Sequence, residues 1–257
     1  MRILALPAAL ALAFCLYLPF PRAAELISRL LARLYGLVLR LFTRRDGRSD
    51  QTPALLCYLL LLAGVATLLG ALHPAASAVL MAPLFAALSL LPQEAAIKLE
   101  LDSGAYAGDI PAYESRVRAA CASLGPAFAN DACAPLLLCA LGTPLYLGCA
   151  LGWMYLGLRA VRDQNGLARR MAAPILRASD AVFCALMLLS SGAVGRSPLR
   201  TQGRGARERL LSILGISGDG TGTHAPMAGD IAQGIFLCCL CTVLLCLMLT
   251  AMFFLLC

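Results

Sequence analysis

The cysteines and histidines are the first residues of this chain whose types could do chemistry, because both can bind metal ions. The 257 residues include 12 cysteines and two histidines. Most cysteines lie inside apolar blocks, and four of them share one unbroken hydrophobic segment: Cys238, Cys239, Cys241 and Cys246. A buried free cysteine packs like a small hydrophobic side chain, and two histidines are too few for a familiar zinc site. The sequence therefore predicts no metal site.

A glycine-rich string, Gly215 to Thr223, could present backbone amides to a phosphate group. It reads GISGDGTGT, and it lacks the Gly-Lys-Ser/Thr and the following helix that a phosphate-binding P-loop requires. We predict a flexible loop. The chain also contains no nucleophile, base and acid set and no recognisable nucleic-acid module, so the net charge of +7 is assigned to membrane orientation, with no nucleic-acid partner.

The composition requires a membrane. The chain is 60% hydrophobic and 14% charged, whereas a soluble domain is about 25% charged. A helix needs roughly 20 apolar residues to cross about 30 Å of hydrocarbon. We therefore predict an all-α, multi-pass integral membrane protein in which the first, second, fourth and last apolar blocks cross. The blocks are Ile3–Phe20, Ala54–Leu72, Ala75–Leu91, Cys133–Leu158, Ala181–Val194 and Ile231–Cys257.

The segment after the first block predicts an amphipathic helix at the headgroups. Arg29, Arg33 and Arg40 recur at helical spacings among leucines in ELISRLLARLYGLVLRLF. The first block itself has a basic start, as a secretory signal does, but no small-x-small cleavage site follows it. We therefore favour an uncleaved anchor.

Basic residues indicate the orientation of the chain. Of its 21 lysines and arginines, 17 lie in three segments, and the positive-inside rule places these in the cytoplasm. Six full crossings would put the second basic segment outside. All three basic segments would be cytoplasmic in a second topology, in which Leu55–Leu91 makes one net crossing and Ala181–Val194 is a shallow re-entrant or interfacial helix. The sequence leaves both topologies open. The basic segments are Arg22–Arg48, Arg159–Arg177 and Arg196–Arg209.

The chain is predicted to form a single membrane domain, 1–257, with two polar loops or excursions at about 93–131 and 196–230. Short helices are expected in the first excursion. One ends at Gly104, and the next begins at Asp109 as N-cap with Pro111 in its first turn.

Four stretches together resemble one family. The first reads LPFPRAAELISRL (18–30). The second begins with RAA at Arg118 and ends with APL at Leu136. The third combines ALGTP (140–144) with Arg162, and the last contains GDG (218–220), Pro226 and Asp230. In the same order, they resemble four motifs of one family: LPHPVRxIGRL; RAAVETVAENTxDGVIAPL; ALxGAP together with the arginine of NTLDSMxGYRN; and GDGRPPxPxDIR. On these residues the chain is similar to the CobD/CbiB family of cobalamin biosynthesis.

The resemblance implies a ligase of the cell (plasma or inner) membrane. With ATP and Mg²⁺ it would join the carboxylate of adenosylcobyric acid to aminopropanol phosphate, giving adenosylcobinamide phosphate. Such chemistry needs acidic metal ligands and cationic clamps. The implied partners are the lipid bilayer, a corrinoid and other membrane proteins of the cobalamin pathway.

The chain departs from the family at most polar positions. The family's two glutamates, asparagine and aspartate fall on Ala122, Pro126, Ala127 and Asn130, with Asp131 one position late. Trp153–Leu156 replaces NTLD, and only Arg177 and Asp180 match the polar residues of ARLDDxxNWxPAR. A catalytically degenerate homologue that binds corrinoid or supports a partner is therefore the alternative to an active ligase. An unrelated multi-pass protein, such as a transporter component, is disfavoured because the apolar blocks hold almost no ionisable residues.

The resemblance also selects candidate substrate-binding residues and leaves the catalytic residues unassigned. They lie at segment ends and are expected to converge at the membrane surface: Arg162, Arg177, Asp180, Asp219 and Asp230. The alternative is that the two arginines only orient the chain, and that Asp180 and Asp230 cap the helices that follow them.

We predict that the three basic segments share one face of the membrane. Cysteines introduced near Arg45, Arg170 and Arg204 should not react with an impermeant maleimide added outside intact cells. Labelling of each variant should therefore not exceed that of the native chain, which has cysteines of its own. Ready labelling near Arg170 alone would favour six full crossings.

Overall fold

The structure, a computed structural model, describes residues 5–43, 51–72, 74–142, 148–194, 205–216 and 224–256. All regular elements in these ranges are helical, which confirms the predicted all-α class. In chain order they are α1 Ala5–Tyr17, α2 Ala23–Leu41, α3 Gln51–Leu72, α4 Pro74–Met81, α5 Leu90–Asp102, α6 Ile110–Phe128, α7 Ala134–Gly142, α8 Gly148–Val161, α9 Gly166–Ser190, α10 Ala206–Leu214 and α11 Ala228–Leu256. Between them lie two 3₁₀ segments and a π-helical turn, Ala82–Ser89, Ser191–Val194 and Ala129–Cys133.

Five stretches are long and apolar enough to cross a membrane, as expected for a multi-pass membrane protein. They are Gln51–Ala71, Ala75–Asp102, Ile110–Leu141, Gly166–Ser190 and Ala228–Met252. Two of these stretches, Ala75–Asp102 and Gly166–Ser190, are longer than the apolar blocks of the sequence that they contain or overlap. Good helix formers such as Gln93, Glu94 and Lys98 continue the helix beyond Leu91, and Ala181 to Ser190 is the second half of one 25-residue helix.

One predicted crossing is wrong, and another is not tested. Within the first apolar block the structure describes α1, Ala5–Tyr17, and because residues 1–4 lie outside the described ranges, the crossing of this block stays a prediction. The block Cys133–Leu158 is not one helix, because α7 and α8 fold back on each other as an antiparallel hairpin. Gly152 of α8 lies against Cys139 of α7. The sequence that joins the two helices contains Pro144 and is bounded by Gly142 and Gly148, and proline and glycine are the poorest helix formers.

The first polar excursion forms the hairpin of α5 and α6. Gly104 and Gly108 adopt left-handed conformations in the connection, with φ of +80° and +99°, a region that glycine enters without steric cost. The predicted N-cap is confirmed, because Asp109 Oδ1 accepts a hydrogen bond from the Ala112 amide at 3.0 Å.

Helix α2 is amphipathic, as predicted, and is fixed by its buried face. Leu31, Tyr35 and Val38 are buried against α3 and α8. Tyr58 donates a hydrogen bond to the Leu31 carbonyl at 3.1 Å. Asn165 donates to the Tyr35 hydroxyl at 2.8 Å, so α2 and the connection between α8 and α9 are adjacent. This contact brings two of the three basic segments together.

Helix α10 packs directly on the backbone of α6 at Gly125. A Cβ atom at Gly125 would lie 2.6 Å from the Ala206 carbonyl oxygen, too close for any real contact. Because that oxygen belongs to backbone, it cannot rotate away. Only glycine therefore permits this approach.

We predict that Gly125→Ala lowers the free energy of unfolding by about 1–3 kcal/mol, the usual cost of overpacking. Unfolding in dodecyl maltoside with increasing SDS measures it. Gly36→Ala on α2 is the matched control, since nothing lies within 4 Å of its Cβ position, and it should be neutral or stabilising by up to about 1 kcal/mol. Equal effects of the two variants would contradict this packing.

Candidate functional site

The site forms where two helices lose regular geometry. The 3₁₀ segment Ala82–Ser89 contains a break at Phe85 (φ −89°, ψ 40°), and it packs against the π-helical turn Ala129–Cys133. Such turns inside helices occur frequently at functional sites. Here the turn places Asn130 and Asp131 beside the irregular segment.

Aromatic side chains donate hydrogen bonds to backbone carbonyls at or beside these breaks. Tyr17 donates to the Pro83 carbonyl at 3.0 Å, Trp153 Nε1 to the Leu80 carbonyl at 3.0 Å, and Tyr155 to the Asn130 carbonyl at 2.9 Å. Without water, every backbone polar group in a membrane must find an internal partner. These three donors therefore make the irregular geometry tolerable.

A cavity of about 460 Å³ opens beside the two irregular segments. Its wall is mostly apolar and comes from the end of α1, from α2, from the 3₁₀ segment, from α6 and the π turn, and from α8. Ligand pockets commonly have this size and this mixture of an apolar wall with a few polar groups. The ionisable and hydroxyl-bearing residues of the wall, besides Tyr17, are Glu25, Ser28, Ser89, Ser123, Asp131 and Arg159.

A partly buried ion pair lies in the cavity wall. Arg159 Nη1 contacts Asp131 Oδ1, and the two side chains are 35% and 10% exposed. A carboxylate this buried is stable only with a close cation or hydrogen-bond donors. The pair therefore ties α8 to the π turn and places a charged group at the cavity wall.

A second polar group of the cavity wall lies on α6, at Ser123. Ser123 donates a hydrogen bond to Glu94 Oε1 at 3.0 Å, and Glu94 is buried on α5. The other oxygen, Glu94 Oε2, has no hydrogen-bond partner in the described part of the chain. Ser123 and Asp131 are eight residues apart, about 12 Å along a helix. The cavity thus has polar groups at two well-separated points.

Four of the five candidate residues selected by the resemblance lie within the described ranges, and these four do not line the cavity. Arg162, near the end of α8, has its Nε 3.6 Å from Asp163, and Arg177 is exposed on α9. Asp219 lies outside the described residues. Among the other four candidates, all within the described ranges, no hydrogen bond or ion pair joins any two, and none lines the cavity. Their convergence stays a prediction.

The two aspartates have capping roles. Asp230, in the first turn of α11, accepts a hydrogen bond from the Met227 amide at 2.8 Å, and His224 Nε2 lies 3.0 Å from its carboxylate. Asp180 lies within α9 and accepts from the Ala206 amide at 3.0 Å. It therefore caps α10, which begins 26 residues later, and not a helix that directly follows it.

The ion-paired residues of the cavity wall that the sequence does not select are Asp131 and Arg159. In the sequence, Asp131 ends a polar excursion and Arg159 is one of several basic residues that indicate orientation. An acid at the border of an apolar block was the available indication. Its partner is 28 residues away and is identified only by the antiparallel hairpin.

The ATP and Mg²⁺ that the resemblance implies do not fit the described residues. These contain no group of three His, Cys, Asp or Glu side chains that could hold a metal ion. Mg²⁺ binds through free carboxylates together with substrate phosphates, whereas the carboxylate of Asp131 is engaged by Arg159.

No protein-family model matches the chain, and neither does any curated protein or solved structure. The resemblance to the CobD/CbiB family therefore rests on the four sequence stretches alone.

We predict that Arg159→Gln lowers the free energy of unfolding by about 3–5 kcal/mol, because it leaves a buried carboxylate without its cation. Asp131→Asn should cost less, since the arginine left behind is more exposed. The double variant Asp131→Asn/Arg159→Gln should recover part of the loss. SDS unfolding of the detergent-solubilised protein measures all three.

The matched control is the surface pair of Lys98 and Asp102, whose side chains are 36% and 47% exposed. Asp102→Asn should change the free energy of unfolding by less than about 1 kcal/mol. Strictly additive effects at Asp131 and Arg159 would contradict a direct pairing.

Proposed function

We propose that the chain is a divergent relative of the CobD/CbiB family that binds a corrinoid or another intermediate of cobalamin assembly in the cell membrane, without itself performing the ligation. One observation carries the proposal. Two of the four resembling stretches, far apart in sequence, supply residues to one cavity. Glu25 and Ser28 come from the first stretch and Ser123 and Asp131 from the second, and Arg159, three residues before Arg162, also lines it.

The chemistry of the cavity suits such a ligand. Arg159 and Asp131 offer donors and acceptors to the carboxylate and amide arms of a corrinoid, or to the phosphate and amine of aminopropanol phosphate. The apolar wall receives the hydrocarbon part of an arm. A cavity of about 460 Å³ takes one arm, while the bulky macrocycle remains at the membrane surface.

Binding is favoured over ligation because of the residues that replaced the family's polar positions. Ala122, Pro126 and Ala127 bring no charge to the stretch that carries the family's acids. Losing even one hydrogen-bond donor that stabilises a transition state costs about 3–4 kcal/mol of catalysis. A protein of this kind would support other membrane proteins of the pathway by holding their substrate.

The test is equilibrium dialysis of the purified full-length protein in detergent against cobyric acid. We expect saturable binding that Asp131→Asn or Arg159→Gln weakens about tenfold or more, which corresponds to roughly 1.4 kcal/mol. Asp180→Asn is the matched control and should stay within about twofold, since Asn caps about as well as Asp and Asp180 does not line the cavity.

Ala127→Leu tests the cavity without touching the ion pair, because Ala127 lines it and the larger side chain fills it. A variant that stays monodisperse and loses binding supports the site. Undiminished binding by that variant, or no saturable binding by the native protein, would sink the proposal. Adenosylcobinamide phosphate formed from cobyric acid in its adenosylated form, aminopropanol phosphate and Mg-ATP would overturn the non-ligating part.

Transport is a second candidate, favoured by one specific observation. Glu94 and Asp131 are buried in stretches long and apolar enough to cross a membrane, and ionisable residues in such positions mark substrate or ion pathways. The apolar blocks of the sequence contain neither residue, because both helices extend beyond their blocks. Uptake of labelled cobyric acid into proteoliposomes, abolished by Asp131→Asn, would favour transport over binding alone.

A further inference from the structure

Helix α2 exposes a row of leucines on the side away from the protein. Leu26, Leu30, Leu37 and Leu41 are all exposed. Their spacings of four, seven and four residues return to one face of a helix. Because the described part of the chain leaves most of this face uncovered, it must meet another apolar medium.

A row of arginines runs beside these leucines. Arg22 immediately precedes α2, and Arg29, Arg33 and Arg40 lie within it. All four are exposed. Their spacings of seven, four and seven residues also define one line, turned by about one residue position from the leucine row. Glu25, which pairs with Arg29, is the only acidic residue in the helix.

The rotation of α2 about its own axis is fixed. Its opposite face carries the buried Leu31, Tyr35 and Val38, and hydrogen bonds hold its Leu31 carbonyl and its Tyr35 hydroxyl to α3 and to Asn165. The leucine and arginine rows therefore cannot turn inward. In a multi-pass membrane protein, the medium that covers exposed leucines is the bilayer, and the arginines then lie level with the lipid headgroups.

We propose that the arginine row of α2 is a binding surface for anionic lipid headgroups. The guanidinium groups are planar donors that match phosphate geometry, and four of them follow a line of about 27 Å. Zwitterionic headgroups carry a compensating cation, so charge complementarity favours anionic lipid. The same helix forms one wall of the cavity through Glu25, Ser28 and Leu31, so lipid binding would also steady that wall. The proposal does not depend on which ligand the cavity takes.

Hydrogen–deuterium exchange of the full-length protein in dodecyl maltoside tests the proposal. Phosphatidylglycerol should slow exchange across α2 by about threefold or more, because a ligand of the folded helix lowers the population of its opened form. Phosphatidylcholine at the same concentration should have little effect. Arg33→Gln/Arg40→Gln should remove the response to phosphatidylglycerol, and native mass spectrometry should show fewer retained anionic lipids.

The matched control is Arg169→Gln/Arg170→Gln, which removes the same charge from exposed positions on α9 and should keep the response at α2. Equal protection by the two lipids would reduce the surface to an apolar contact and overturn the proposal. Protection of α2 by inorganic phosphate alone would mean that the arginine row binds the free anion. Loss of the response to phosphatidylglycerol in both double variants would mean that net charge alone is responsible. Either result overturns it as well.

Discussion

The architecture depends on satisfying backbone carbonyls where water is absent. Regular helices satisfy their own backbone groups, but this chain breaks regularity at Ala82–Ser89 and again at Ala129–Cys133. In hydrocarbon an unsatisfied peptide group costs several kcal/mol. Tyr17, Trp153 and Tyr155 meet this cost with donors from α1 and α8. Helix α1 and the hairpin of α7 and α8 are therefore the elements that permit an irregular, cavity-forming centre.

The irregular centre also decides where charge can lie. The π turn directs Asp131 to the cavity wall, and the antiparallel course of α7 and α8 brings Arg159 to it. The pair is internally neutralised, which leaves little unpaired charge for polarising a substrate but a good set of donors and acceptors for holding one. This balance is the physical reason for preferring binding over ligation in the cavity.

Helix α2 connects the cavity with the surroundings of the protein. Its buried side packs on α3 and α8 and also contributes to the cavity wall, and its other side carries leucines and arginines outward. The Tyr58 and Asn165 hydrogen bonds fix the orientation of α2. A displacement of the helix on one side therefore also moves its other side. Lipid contacts and cavity shape are thus properties of the same rigid element.

The sequence by itself determined what depends on neighbours along the chain. Hydrophobic blocks predicted the all-helical membrane class, the spacing of arginines and leucines predicted amphipathic α2, and the Asp109–Ile110–Pro111 order predicted a cap that acts within three residues. Tertiary structure alone decided the hairpin inside Cys133–Leu158, the ion pair between Asp131 and Arg159, and the capping of α10 by Asp180. These contacts join residues 26 or 28 positions apart, and such distances are set by how helices pack. Helical periodicity records which face of a helix is apolar, but it does not record which partner that face will meet.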